Sequence, residues 1–161
     1  MSRLAARRSV GNDRSVSGRI YSVGYEGFDV ETLVDHLTAA KVSVVYDVRL
    51  NPVSRKRGFS RKALTAALEE AGIEYRHERD LGNPQENRDS FRRGDGHEGR
   101  RQMREILENG SEPSLQRLVE HARCARVAVL CVEREPSRCH RDVITDMVKE
   151  ADPTIEVLQI L

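Results

Sequence analysis

Tryptophan is absent from this chain and aromatic residues make up only 4% of it, so a core has to be built mainly from aliphatic side chains. No run approaches the roughly 20 consecutive apolar residues that span a bilayer, and no membrane association is expected. Cysteine is scarce: Cys124, Cys131 and Cys139 form an odd set without a C-x-x-C pair. That pattern argues against a disulfide framework and for a reducing, cytoplasmic setting. No paired Cys or His spacing of the zinc-binding kind occurs. Cys139 and His140, being adjacent, should diverge on a helix, so no metal site is expected. Neither G-x-G-x-x-G nor G-x-x-x-x-G-K is present, which removes dinucleotide-dependent dehydrogenases and P-loop NTPases. The cofactor, if there is one, stays unknown at this level.

What is present is charge, at 33% of residues, and a clustered apolar 38%. A chain of 161 residues suits one domain that buries roughly 70% of its unfolded surface. The net charge of +1 hides an asymmetry, because residues 49–62 carry six cations and no acid, whereas five acids face one lysine from Asp142 onward. Local fields of this kind are what a polyanionic partner senses. Residues 1–18 read as a basic flexible tail; a mitochondrial-type presequence is the alternative, and the missing apolar segment excludes a secretory signal. Residues 19–161 read as a single α/β domain.

Within that domain, Ile20–Gly24 reads as a first strand, and Asp29 as the N-cap of a helix carrying Leu33, Val34, Leu37 and Ala40 on one face. The run Val42–Val48 marks a strand covered on both faces. Ser60 caps a second helix, with Gly72 at its end, and Ile73–Glu78 makes a third strand. Asp80–Gly96 shows no period and reads as a long loop, of a kind usually functional or mobile. Helices follow at about 97–109 and 113–124, with Pro113 in an N1-like place. A strand at 127–132, a helix at 139–150 and a strand near Ile155–Ile160 complete the pattern. Alternating elements predict a three-layer α/β fold, a mostly parallel sheet of about five strands flanked by helices.

In such a fold ligands bind beyond the carboxyl ends of the strands. The richest candidate segment is therefore Val127–Asp146, where Glu133, Ser137, Arg138, Cys139, His140 and Arg141 follow a strand. Ser137 as N-cap would put Cys139 and His140 in a first helical turn, where free amides and the helix dipole favour anions and lower a thiol pKa. Asp47 and Arg49 end the second strand, and an acid there either orients a base or simply pairs with an arginine. His77 ends the third strand. Asn83 lies in a turn that can approach a ligand closely, and Arg88 adds to the basic field. Among these, His77, His140, Cys139, Asp47 and Glu133 are the catalytic candidates. Arg49, Asn83, Arg88, Ser137, Arg138 and Arg141 are the ligand-binding ones, helped by the basic loop 55–57.

Several pieces together resemble the family catalogued as domain of unknown function 488. They are Ser22-Val23-Gly24-Tyr25, Val45-Tyr46-Asp47-Val48-Arg49 with Pro52, and Phe59-Ser60-Arg61-Lys62-Ala63-Leu64. They continue through Ala71-Gly72-Ile73-Glu74-Tyr75-Arg76-His77, Leu81-Gly82-Asn83-Pro84 with Asn87-Arg88, and Cys131-Val132-Glu133 with Cys139-His140-Arg141. The pieces run in family order over about residues 20–161. Where the family commonly has Gly-Gly after the leucine, this chain has Gly82-Asn83. The resemblance implies an α/β fold and no particular reaction.

The residues themselves suggest first a cleft for a phosphate-bearing ligand, a nucleotide or nucleic acid, with hydrolytic or group-transfer chemistry as a possible use. There, His77 or His140 would move protons and Asp47 or Glu133 would orient it. A thiol-dependent, rhodanese-like sulfurtransferase using Cys139 or Cys131 is the alternative. A non-catalytic interaction module is the third.

Overall fold

The computed structural model describes residues 18–161, so the tail expected over 1–18 lies, apart from Gly18, outside the described residues. Five strands form one sheet: β1 (Arg19–Gly24), β2 (Val44–Asp47), β3 (Glu74–His77), β4 (Arg126–Cys131) and β5 (Glu156–Ile160). Their order is β3-β2-β4-β1-β5, and every pairing is parallel. Six α-helices accompany them among the described residues. These are α1 (Val30–Ala39), α2 (Arg61–Glu70), α3 (Gln85–Arg92), α4 (Gly96–Glu108), α5 (Glu112–Cys124) and α6 (Arg141–Ala151). The three-layer α/β arrangement expected from the alternation is the one observed.

Period-two alternation along the strands sorts the core into two layers. Tyr21, Val23, Val45, Ala128 and Leu130 face α1 and α2, meeting Leu33, Leu37, Leu64 and Leu68. Ile20, Val44, Tyr46, Val127 and Val129 face the other way, onto Met103, Leu107, Leu118, Ile144 and Val148 of α4, α5 and α6. Strands covered on both sides are mainly apolar, which is why β2 and β4 stand out as near-continuous runs; the buried polar residues, Ser22 in β1 and Asp47 in β2, have their own partners. β3 lies at the sheet edge and alternates exposed with half-buried residues.

Local signals act where expected. Asp29 caps α1, its Oδ1 accepting from the Thr32 amide at 2.8 Å. Ser60 caps α2 through the Ala63 amide at 3.3 Å, and Gly72 has φ +76° just beyond it. Two expectations need correction. The segment 80–96 is not a structureless loop, because it contains α3 after Pro84. That helix buries only Asn87 and Phe91, four residues apart, which is one face with a single apolar residue.

Ser137 is not a helix cap either. It sits inside a 3-10 turn, Pro136–Arg138, and His140 occupies the N-cap position of α6. Proline supplies the turn's fixed φ; the Arg138 and Cys139 amides bond back to the Glu135 and Pro136 carbonyls, so they are not available to an anion.

Candidate functional site

All five strands point the same way, so their carboxyl ends share one edge of the sheet. The connection after β4 leads to α6 on one face, while those after its neighbours β1 and β2 lead to α1 and α2 on the other. A crevice opens where neighbouring connections part in this way. It holds a cavity of about 440 Å³ built from four loops. Glu26 comes from the loop after β1, Arg49, Leu50, Asn51 and Val53 from that after β2, and Asn83, Arg88, Phe91 and Arg92 from the segment after β3. Cys131, Glu133, Glu135, Arg138, Cys139 and His140 come from the end of β4 and beyond. The Glu26 amide bonds to the Val132 carbonyl at 2.9 Å, tying two of these loops together.

Asp47 and Arg49 stand two residues apart on the α1–α2 side, and they pair rather than act separately. Arg49 Nη2 is 2.6 Å and Nε 2.9 Å from the Asp47 carboxylate, with both residues buried. Tyr75 donates its hydroxyl to Asp47 Oδ2 at 2.6 Å. Arg49 Nη1 reaches the Phe59 carbonyl at 2.7 Å and the Tyr25 hydroxyl at 3.3 Å. Burial opposes the charge on Arg49, but Asp47 more than offsets it and raises the guanidinium pKa. Burial, reinforced by the Asp47 carboxylate, raises that of Tyr75. Asp47 is thus the structural partner of Arg49, which lines the cavity while Asp47 does not.

The floor of the cavity is made of sulfur and imidazole. Cys139 Sγ stands 3.6 Å from His140 Nδ1, and His140 Nε2 is 2.9 Å from the Val48 carbonyl. The expectation that these adjacent side chains diverge is corrected. Cys139 precedes the helix in an extended conformation (φ −133°, ψ 146°), and His140 begins the α-helical geometry (φ −63°, ψ −15°). Cys131 joins them, so that two sulfurs and a ring nitrogen lie within 4.8 Å of one another. Cys131 Sγ is also 3.6 Å from Glu133 Oε2.

Burial pushes the Cys139 thiol up. The hydrogen bond from Cys131 and the charges of His140 and Arg141 more than reverse this, leaving it well below the usual thiol range. Cys131, as donor to Cys139, moves up, with burial acting in the same direction. His140 is pushed down by burial and further up by the Cys139 charge, for a net rise. Burial, then the charge of Cys139, raises Glu133.

Arg141, expected in the ligand set, stands behind the cavity wall. It is fully buried and does not line the cavity. Its Nε donates to Ser22 Oγ at 3.0 Å and its Nη1 to the Glu133 carbonyl at 2.7 Å, while Nη2 is buried without a partner. No carboxylate neutralises it among the described residues, and its charge bears on both sulfurs.

His77 lies on the edge strand, with Nε2 2.8 Å from the Arg49 carbonyl and outside the cavity lining. Ser137 is exposed and also outside it. From the basic loop, Lys56 is occupied with the Tyr25 and Glu26 carbonyls at 3.1 and 3.2 Å. Neither Arg55 nor Arg57 lines the cavity. Neither His77 nor His140 pairs with a carboxylate among the described residues: each turns Nε2 toward a backbone carbonyl.

Asn83 is buried at the cavity wall; Asn87 Nδ2 donates to its Oδ1 at 2.9 Å, and its own amide nitrogen has no partner among the described residues. Arg88 Nε is likewise buried without a partner. Sequence reasoning missed the supporting roles of Tyr25, Tyr75 and Asn87, since nothing local signals a side chain that holds another one in place.

A family model described as "Domain of unknown function DUF488" matches residues 29–148. No curated protein and no solved structure shows significant similarity to the chain.

Proposed function

The chain belongs to the DUF488 family, whose description carries no reaction, and from its cavity we propose that it binds a phosphate-bearing ligand, a nucleotide or nucleic acid, at the strand ends. One observation carries this reading. Arg100, Arg101, Arg104, Arg117 and Arg123 are each paired with an acid, whereas Arg88, Arg92 and Arg138, which line the cavity, pair with none among the described residues. Arg49 and the Asn83 amide add donors to the same wall. Glu26, Glu133 and Glu135 also line the cavity, so the ligand has to bring donors of its own beside its phosphate, as a nucleobase and ribose do.

Thermal shift at low salt, with mononucleotides and short oligonucleotides as probes, tests this. A rise in Tm that disappears in an Arg88→Gln/Arg138→Gln variant is expected. No shift with any of these probes removes the reading.

A second reading, thiol-dependent group transfer of the rhodanese-like kind, is favoured by the Cys139–His140 contact at 3.6 Å. It requires a free Cys139 thiolate. Iodoacetamide should then label Cys139 near neutral pH well before Cys124, although Cys124 is the exposed thiol. Faster labelling of Cys124 counts against it.

A further inference from the structure

The trio at the cavity floor has a use that neither reading assigns. Zinc binds cysteine sulfur at about 2.3 Å and histidine nitrogen at about 2.0–2.1 Å, so a tetrahedral site has a sulfur–nitrogen edge of about 3.6 Å and a sulfur–sulfur edge of about 3.8 Å. Cys139 Sγ and His140 Nδ1 are already 3.6 Å apart, and Cys131 Sγ lies within 4.8 Å of both. We propose that Cys131, Cys139 and His140 hold a zinc ion, with water in its fourth position facing the phosphate-ligand cavity. All three residues line that cavity. Two cysteines, one histidine and a water make a donor set that zinc uses in catalytic sites.

The imidazole is prepared for this role. A carbonyl can only accept, so His140 Nε2, 2.9 Å from the Val48 carbonyl, carries a proton, and Nδ1 faces the Cys139 sulfur, where a metal ion would take the place of any proton on that nitrogen. Metal-bound histidines are typically fixed by such a bond from the far nitrogen. Charge also balances. Two thiolates cancel the dication, and the buried Arg141, which has no acid partner among the described residues, adds a positive charge that favours the thiolate form of Cys131 and Cys139. Glu133 Oε2 is 3.6 Å from Cys131 Sγ but stands outside the three-atom group, the place of a proton carrier rather than a ligand.

The inference deepens the cavity reading and rests on it for the substrate class, a phosphate-bearing molecule cleaved by water. Zinc brings the pKa of its bound water to about 7. Glu133 takes that proton, and the hydroxide oxygen bonds to an electrophilic carbon or phosphorus of the ligand. The leaving group departs with the bond's electron pair and receives the proton from Glu133. No electrons are exchanged with a redox partner.

The test uses the full chain purified without chelator. Metal analysis should find about one zinc per chain. Chelator-stripped protein refilled with cobalt chloride should show the intense near-ultraviolet thiolate-to-cobalt band and visible bands of a tetrahedral site. Cys131→Ser and Cys139→Ser should lose that band, and Cys124→Ser should keep it. Since a core variant can simply misfold, the wild-type chain supplies a second measure: only Cys124 should react with a disulfide reagent in the zinc form, and all three thiols after chelation.

A folded wild-type chain that retains no zinc, gives no cobalt–thiolate band and alkylates quickly at Cys139 overturns the proposal in favour of the free thiolate. The two readings fail separately. Arg88→Gln/Arg138→Gln should keep the cobalt spectrum while losing the nucleotide-induced shift, and a wild-type nucleotide shift without any metal signature sinks the zinc site alone.

Discussion

Asp47 shows how a single residue's role follows from what it can reach. An acid at a strand end is compatible with orienting a base or with pairing an arginine, and the i, i+2 spacing puts Arg49 on its own side of the sheet. The buried carboxylate takes three hydrogen bonds from the Arg49 guanidinium and one from Tyr75. Asp47→Asn removes one charge of a buried pair and strands the other, an imbalance that costs about 3–5 kcal/mol. Urea denaturation should show a loss of that order, and a loss below about 1 kcal/mol would mean that water reaches Arg49.

His121 makes a second residue-scale case. Its Nδ1 is 2.8 Å from the Tyr46 hydroxyl, and burial, aided by the Arg76 charge, lowers its pKa from 6.5. A base with a lowered folded-state pKa is protonated more readily in the unfolded chain. Its contribution is therefore complete above about pH 6.5 and is lost as pH falls from there through the folded-state value. The Tm of His121→Gln should consequently drop less than that of wild type between about pH 7.5 and 5.5. Equal drops would show that Tyr46 and the protonated ring rearrange without penalty.

Elements are legible in the sequence where the physics is local and obscure where it is not. β1, β2 and β4 announce themselves because strands buried on both faces are mainly apolar. Asp29 and Ser60 announce helix starts because a cap needs only its own amides. Helix α3 has no such signature, since Phe91 alone is apolar in its buried face, and its support comes from tertiary contacts such as Phe91 against Gly99 of α4. The turn at Pro136 outcompetes the cap expected at Ser137, shifting the start of α6 to Arg141. Strand order leaves no trace, because nothing in the residues of β4 says that it inserts between β1 and β2.

The site is legible to the same degree. Residues just past strand ends converge, as Arg49, Glu133, Cys139 and His140 do, but parity and packing decide which face the cavity, and they turn Asp47, His77 and Arg141 away from it. Close packing of elements also accounts for Gly24 at the end of β1. A Cβ there would stand 1.8 Å from the Glu133 carbonyl oxygen, the atom that accepts from Arg141 at 2.7 Å. Gly24→Ala must therefore push the loop after β4 away from β1, and overpacking of this kind typically costs about 1–3 kcal/mol. A stability loss in that range by urea denaturation is expected, accompanied by faster alkylation of Cys131 and Cys139. Unchanged stability would show that the loop is not held by this packing.

On the scale of the molecule, two groups of arginines contrast, one that joins helices through acids and one that lines the cavity. Arg100 joins α4 to α6 through Asp142 and Asp146, and Arg104 does the same through Glu150 at 2.6 Å. These pairs are partly exposed, so each contributes modestly, about 0–1 kcal/mol, and less as salt rises. Arg88, Arg92 and Arg138 around the cavity have no such partners among the described residues. Together with Glu26, Glu133 and Glu135 on the same wall, they are the charges that a ligand entering the cavity meets. Exchanging one group at a time should separate the duties. Arg100→Gln/Arg104→Gln should lower Tm slightly and leave the dependence of oligonucleotide affinity on salt unaltered. Arg88→Gln/Arg138→Gln should leave Tm equal or higher, while the slope of log affinity against log salt shrinks by about 0.7–0.9 for each phosphate that the protein no longer neutralises. If both variants flatten that slope alike, the ligand follows the diffuse field of the whole surface, and the cavity has no special claim on phosphate.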